Sequence, residues 1–213
     1  MKRTSLYTFA RTLLPWFFQL LMPSRIHHAE NMPKKGGVVL CCNHASMTDP
    51  LRLAYSQRRQ IFFMAKEELF RNSFIKAVIT ALGAFPVARG RGDKQAISTA
   101  ERLLKDGNVL GIFIEGTRSK DGSLQRPKSG AVLLAYRSGV PVLPCCITAR
   151  GGGLPGTFRT SIVSYGEPIA PEDLGVKNGT PSELRDASRM VMDRIAELRE
   201  KSLEEFALKN GSR

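Results

Sequence analysis

Acidic side chains are scarce in this chain of 213 residues: 19 Asp and Glu stand against 32 Lys and Arg, for a formal net charge of +13. The deficit favours an anionic partner, whether nucleic acid, an acidic membrane surface or a phosphorylated substrate, without choosing among them. Cysteine is sparse too, and its four copies form two adjacent pairs, Cys41-Cys42 and Cys145-Cys146. Consecutive strand residues point to opposite faces, so neither pair suits one metal ion. Each pair lies in an apolar run, where a free thiol packs as a small hydrophobe. Four reduced, buried cysteines in a cytosolic compartment are expected, with a zinc site or a disulfide framework as the alternative. Internal repeats, low-complexity segments and domain-scale linkers are absent, which leaves one well-buried core with or without a small appendage. The mostly apolar run near the N-terminus, Leu13 to Met22, covers about half of the roughly 20 residues that cross a bilayer, and Pro15 interrupts it.

Residues 1–25 nevertheless differ from the rest. Lys2, Arg3, Arg11 and Arg25 supply their charge with no acidic residue among them, and Leu13, Leu14, Trp16, Phe17, Phe18, Leu20, Leu21 and Met22 dominate the stretch between Arg11 and Arg25. A signal peptide would require a small-x-small cleavage site, which does not follow, and an apolar region that Arg11 does not break. A short basic helix rich in Trp, Phe and Leu suits the membrane interface instead, lying in it without crossing; a helix packed on the domain itself is the plainer alternative. His27-His28 come next in a polar stretch, with Glu30 the acidic residue nearby, and read as solvated or interfacial imidazoles.

From Gly36 onward apolar runs alternate with helical patterns. Val38–Cys42 reads as a buried strand. Asp49-Pro50 reads as a helix start with Asp as N-cap and Pro at the first helical position, and Arg58-Arg59 suit the C-terminal end of that helix. Ile61–Ala65 is a second strand, and Phe74, Ile75, Val78, Ile79 and Leu82 mark an amphipathic helix. Gly83–Arg89 leads as a strand into Arg89-Gly90-Arg91-Gly92-Asp93, a flexible basic loop that suits an anion or is simply a solvated turn. A helix is expected over Asp93–Asp106, with Ala96, Ile97, Ala100, Leu103 and Leu104 on one face. Val109–Ile114 is the clearest buried strand, and a helix follows from Ala131 to about Ser138. Val140–Ile147 is a strand whose prolines suggest an edge position or irregular pairing. Ser161–Tyr165 is the last strand, and the capping box Thr180-Pro181-Ser182-Glu183 opens a helix to about Leu208, with Leu184, Val191, Ile195, Leu198 and Leu203 as its core stripe. Strands alternating with helices argue for an α/β fold, a mostly parallel mixed sheet flanked by helices.

Two strand ends carry chemistry. Asn43-His44-Ala45-Ser46-Met47-Thr48-Asp49-Pro50 follows the first buried strand, and Asp49 can reach back to His44 if the chain turns between them. An imidazole titrates at roughly pH 6.5, so His44 can take a proton near neutrality, and a carboxylate on its far nitrogen would fix the tautomer and stabilise the imidazolium. No Ser or Cys nucleophile is obviously placed to complete a triad, so the pair would activate a hydroxyl of the substrate. Glu115-Gly116-Thr117-Arg118-Ser119 ends the clearest strand. It offers phosphate a guanidinium and backbone N–H groups, while Glu115 can take hydroxyl protons. Ligands of such sheets collect beyond the carboxyl ends of strands, so His44 and Glu115 are expected to line one crevice.

Four blocks in this order resemble the glycerolipid acyltransferases, specifically the lysophosphatidic acid acyltransferase family: His44 with Asp49; Gly83-Ala-Phe85-Pro86-Val87-Ala88-Arg89; Phe113-Ile114-Glu115-Gly116-Thr117-Arg118-Ser119; and Val140-Pro141-Val142-Leu143-Pro144. Ala65-Lys66 with Glu68-Leu69, Lys128-x-Gly130 and Gly166-Glu167-Pro168-Ile169 look like the family at matching intervals, so the likeness covers about residues 30–170. Ile114 departs from it, standing where the family usually has Pro; the change alters the backbone entering the loop and removes no reacting group.

Beside the membrane-association segment read over 1–25, the resemblance implies an acyltransferase catalytic domain over 26–213. It implies transfer of a fatty acyl group from a thioester to the free hydroxyl of a lysophospholipid, lysophosphatidic acid first among the acceptors, with phosphatidic acid as product. In that reading His44 is the general base and Asp49 its orienting partner. Arg89 and Arg118 hold the acceptor phosphate, Glu115, Gly116 and Thr117 complete the acceptor site, and Lys66 is a further candidate for the same anion. Neither cofactor nor metal is implied; acyl-CoA or an acyl-carrier-protein thioester is the co-substrate. The implied place is the cytoplasmic face of the cell membrane, peripheral or monotopic, against an anionic surface and without nucleic acid. Two other readings are an acyltransferase for another acceptor, such as glycerol 3-phosphate or another lysolipid, and a non-catalytic basic membrane- or nucleic-acid-binding protein. The last lacks aromatic residues interleaved with Arg89 and Arg91 that would stack on bases.

Overall fold

A computed structural model describes residues 17–81, 83–87 and 94–209. Its strands are β1 (Ser24–His27), β2 (Val38–Cys42), β3 (Ile61–Lys66), β4 (Ala84–Val87), β5 (Val109–Phe113), β6 (Val142–Ala149) and β7 (Ser161–Tyr165), joined in one sheet in the order β1-β7-β6-β2-β5-β3-β4. From β6 to β4 all neighbours are parallel; β7 is antiparallel to β6, and β1 is parallel to β7. The helices are α1 (Asp49–Ser56), α2 (Ser73–Ala81), α3 (Lys94–Lys105), α4 (Gly130–Ser138) and α5 (Pro181–Leu208). The expected mostly parallel mixed sheet flanked by helices is the fold observed.

The two-residue period of a strand sorts the core into two layers. Val39, Cys41, Val142 and Cys146 join Leu104, Ala135 and Val191 of α3, α4 and α5 on one face. Val38, Leu40, Cys42, Leu143 and Cys145 meet Leu53 of α1 on the other. Each cysteine pair is therefore split between faces, and all four thiols are free and buried. Burial pushes their pKa values up, which keeps them as inert thiols.

Several local expectations are corrected. The cap of α1 is Thr48, and Asp49 is its first helical residue, because the Asp49 side chain is turned back to close the preceding loop rather than onto its own helix. That helix stops at Ser56, so Arg58 and Arg59 lie beyond it; Arg59 instead donates to the carbonyls of Pro33, Gly36 and Gly107. Of the two readings for the prolines at β6, the edge position does not hold, since the strand is interior, and the irregular pairing does. Pro144 falls between the bridge of Val142 to Ile169 and the antiparallel ladder that begins at Cys145, where its carbonyl accepts from Gly166 and no amide is required. β1 carries no sequence signal of a strand, being short and partly exposed at the sheet edge. It brings His27 to Glu205 of α5 at 3.1 Å, while His28 meets Glu30 at 3.5 Å. On α5 the capping box forms as expected, but Ser202 and Phe206 take the buried positions and Leu203 stays half-exposed. Residues 1–16, the side chains of Phe74, Ile75 and Val78, and the whole of Leu82 lie outside the described residues; of the N-terminal segment, residues 17–21 are helical.

Candidate active site

β2, β5 and β6 run side by side in one direction, so the loops leaving their carboxyl ends share one edge of the sheet. Buried Asn43 fixes the first of these loops. Its Nδ2 donates to the Ile147 carbonyl at 3.0 Å and its Oδ1 accepts from the Ile147 N–H at 2.8 Å, tying the end of β2 to β6. Beyond it the chain curls so that Asp49 Oδ2 accepts from the N–H groups of Ala45 at 2.8 Å and Ser46 at 2.7 Å and faces His44 Nδ1 at 2.9 Å. The Asp49 side chain is 1% exposed and that of His44 15%, so the carboxylate is sealed while the imidazole keeps one edge toward solvent. Asp49 also sits in the first turn of α1, where the helix dipole favours a carboxylate. With Nδ1 occupied, Nε2 is the nitrogen left to exchange a proton with a ligand.

The imidazole rests on Phe113, ring centroids 3.9 Å apart and planes 15° from parallel, and Phe113 stacks in turn with Phe63 at 6.0 Å. Gly111 makes room for this stack: a Cβ there would overlap the Phe63 ring and approach Ile61 Cγ2 to 2.8 Å. Asn43, Phe63, Gly111 and Phe113 were not identified from sequence as site residues. The only signal was a polar Asn at the end of an otherwise apolar strand.

The loop after β5 is fastened to the first. Ile114 N–H donates to Cys42 C=O at 3.0 Å and Ser119 N–H to His44 C=O at 2.7 Å. Gly116 turns the chain with φ 75°, its open side against the Lys128 stem. Glu115 points inward and is buried, and among the described residues neither carboxylate oxygen has a hydrogen-bond partner. Burial, and secondarily the charge of Asp49, raise its pKa to about 7, against the pull of the backbone amides of His44 and Gln125. Gly116, Thr117 and Arg118 are exposed on the same loop. The structure thus brings together His44, Asp49 and Glu115, with Gly116, Thr117 and Arg118 at the rim. Arg89 and the Lys66 side chain lie outside the described residues; the backbone of Lys66 ends β3 on the same edge.

Arg52, one turn after Asp49, points away from the site and is fully buried. Its guanidinium donates to Met22 C=O at 3.0 Å, Ser24 Oγ at 2.7 Å and Gly156 C=O at 2.9 Å, and Tyr55 Oη donates to Met22 C=O at 2.7 Å. Sequence alone offered no reason to single out either residue.

The family model for acyltransferases matches residues 23–148. A Bacillus subtilis protein named 1-acyl-sn-glycerol-3-phosphate acyltransferase is 34% identical over 150 residues, covering 70% of this chain and 74% of that protein. A protein of the same name from Borreliella burgdorferi is 33% identical over 118 residues, covering 54% of this chain and 47% of its own. The crystal structure of the 1-acyl-sn-glycerophosphate (LPA) acyltransferase PlsC from Thermotoga maritima superposes with a TM-score of 0.70 at 27% identity, covering 92% of this chain and 77% of that one.

Proposed function

The chain belongs to the acyltransferase family, and we propose that it moves a fatty acyl group from a thioester to the free hydroxyl of lysophosphatidic acid, forming phosphatidic acid. The names of the relatives and of the solved structure support that acceptor. The observation that carries the chemistry is the 2.9 Å contact of His44 Nδ1 with a sealed carboxylate, which leaves Nε2 as base. Nε2 takes the hydroxyl proton as the oxygen attacks the thioester carbonyl carbon. The C–S bond breaks, and the imidazolium returns the proton to the departing thiolate. Asp49 holds the tautomer and offsets the transient positive charge. No acyl-enzyme is needed, because the nucleophile is the lipid's own oxygen.

Arg118 and Arg89 would hold the acceptor phosphate as guanidinium forks. Gly116 and Thr117 offer it backbone and hydroxyl groups, and the Glu115 carboxylate would accept a hydrogen bond from an acceptor hydroxyl. Acyl-CoA or acyl carrier protein delivers the acyl chain, and a basic protein of net charge +13 meets its lipid substrates at an anionic cytoplasmic membrane face. The test is transfer to defined lysophosphatidic acid from each donor. His44→Ala should lose on the order of 10³-fold in turnover with folding and vesicle binding intact. Undiminished transfer by that variant would remove His44 from the mechanism, and failure with lysophosphatidic acid beside success with another acceptor would redirect the substrate.

A further inference from the structure

Sheet polarity gathers separate apolar segments around the mouth of the site. The loop after β2 and the segment after β6 leave one edge of the sheet. Because β1 and β7 run the other way, the chain enters both of them at that same edge. Exposed apolar side chains concentrate there: Phe17 (54% exposed) and Leu20 (71%) before β1, Met47 (72%) in the histidine loop, and Leu154 (44%) and Phe158 (70%) between β6 and β7.

The Leu154–Phe158 stretch is held so that its apolar side chains face out. Pro155 between them is buried. Phe158 has a left-handed backbone, φ 58°, which non-glycine residues seldom adopt, and its N–H donates to Leu21 C=O at 2.7 Å. Arg52 clamps the same two segments from beneath, binding Met22 and Ser24 on one side and Gly156 on the other. A loop whose backbone is anchored by buried bonds while its two largest apolar side chains stand in solvent is built to meet something apolar. Its charge is one-sided as well: residues 150–160 contain Arg150 and Arg159 and no acidic residue, and Arg159 is exposed beside Phe158.

We propose that Leu154–Arg159 is a second bilayer contact. Leu154 and Phe158 enter the boundary between headgroups and acyl chains, Arg159 meets an anionic lipid headgroup, and Arg52 keeps this wedge in register with residues 17–22. The two contacts then set the site mouth, with Met47 at its rim, against the surface where the acceptor resides. This rests on the lipid-acceptor reading above.

The test uses the full chain with its single tryptophan moved, Trp16→Phe with Phe158→Trp, on vesicles of phosphatidylcholine and phosphatidylglycerol with brominated acyl chains. The fluorescence of the introduced indole should be quenched on binding. Leu154→Ser with Phe158→Asn, which keeps a residue tolerant of the left-handed backbone, should weaken vesicle partitioning about tenfold. Thermal unfolding and transfer to a detergent-dispersed acceptor should stay as in the parent. An unquenched indole on a chain that still pellets with vesicles overturns the wedge and leaves the membrane reading standing; a chain that stays in the supernatant overturns both. Conversion of a dimer to a monomer by the double substitution, with vesicle binding unchanged, assigns the face to a second copy and also overturns the wedge.

Discussion

The loops after β2 and β5 leave the same edge and are bonded to each other, yet they treat their acidic residues in opposite ways. Asp49 is buried with Oδ2 engaged by two backbone N–H groups and the His44 ring. Glu115 is buried with neither oxygen hydrogen-bonded among the described residues, and its pKa rises to about 7. In the first, Oδ2 orients the imidazole before any ligand arrives, as the proposed general base would require, while Oδ1 is buried with no partner among the described residues. In the second, burial disfavours the carboxylate, and the backbone amides of His44 and Gln125 offset that only in part. One loop uses its carboxylate to orient the imidazole, and the other buries a carboxyl group with little compensation.

Asp49→Asn attacks the preorganised loop and should have the largest effect. The amide keeps the shape but replaces the negative charge and reverses part of the donor pattern facing His44, Ala45 and Ser46. Steady-state turnover should fall on the order of 10³-fold. A loss no greater than that of a surface substitution would mean that the carboxylate merely shapes the loop.

Glu115→Gln separates binding from stability. The folded-state pKa lies above the unfolded value, so the contribution of Glu115 to stability is intact below about pH 4.5 and is lost as pH rises through about 7. The amide removes that loss. Denaturant unfolding should therefore show the variant gaining on the parent as pH rises, by up to about 3 kcal/mol above neutrality, while KM for the acceptor increases. A stability difference independent of pH would show that Glu115 carries no burial penalty, and the contrast between the loops would collapse.

Gly111→Ala probes the floor beneath the histidine. The added methyl meets Phe63, the ring behind Phe113, and overpacking of this kind costs about 1–3 kcal/mol. Turnover should drop along with the melting temperature, because the displaced rings carry His44. Destabilisation with unchanged kcat would reduce the aromatic stack to packing.

Much of this was readable before the structure. The short apolar runs mark six of the seven strands, the Thr180–Glu183 box opens α5 where its residues say it should, and the split of Cys41 from Cys42 follows from strand geometry alone. His44, Asp49 and Glu115 stand at strand ends in the sequence and at one edge in the fold. β1 escaped because Ser24–His27 has neither the length nor the apolar pattern of a core strand and depends on its pairing with β7. Pro144 signals irregular pairing in an interior strand, and which partner makes its missing amide harmless, Gly166 more than twenty residues away, is set by the fold.

Residue chemistry and local periodicity were thus specified along the chain: which segments are strands or helices, and which side chains can exchange a proton. These follow from interactions spanning a few residues, which a linear reading captures. That Glu115 is left without partners, that Phe113 and Phe63 carry the imidazole, and that Arg52 joins residue 22 to residue 156 emerged from folding. Each depends on surfaces brought together from distant parts of the chain, where burial and the positions of backbone carbonyls set the outcome.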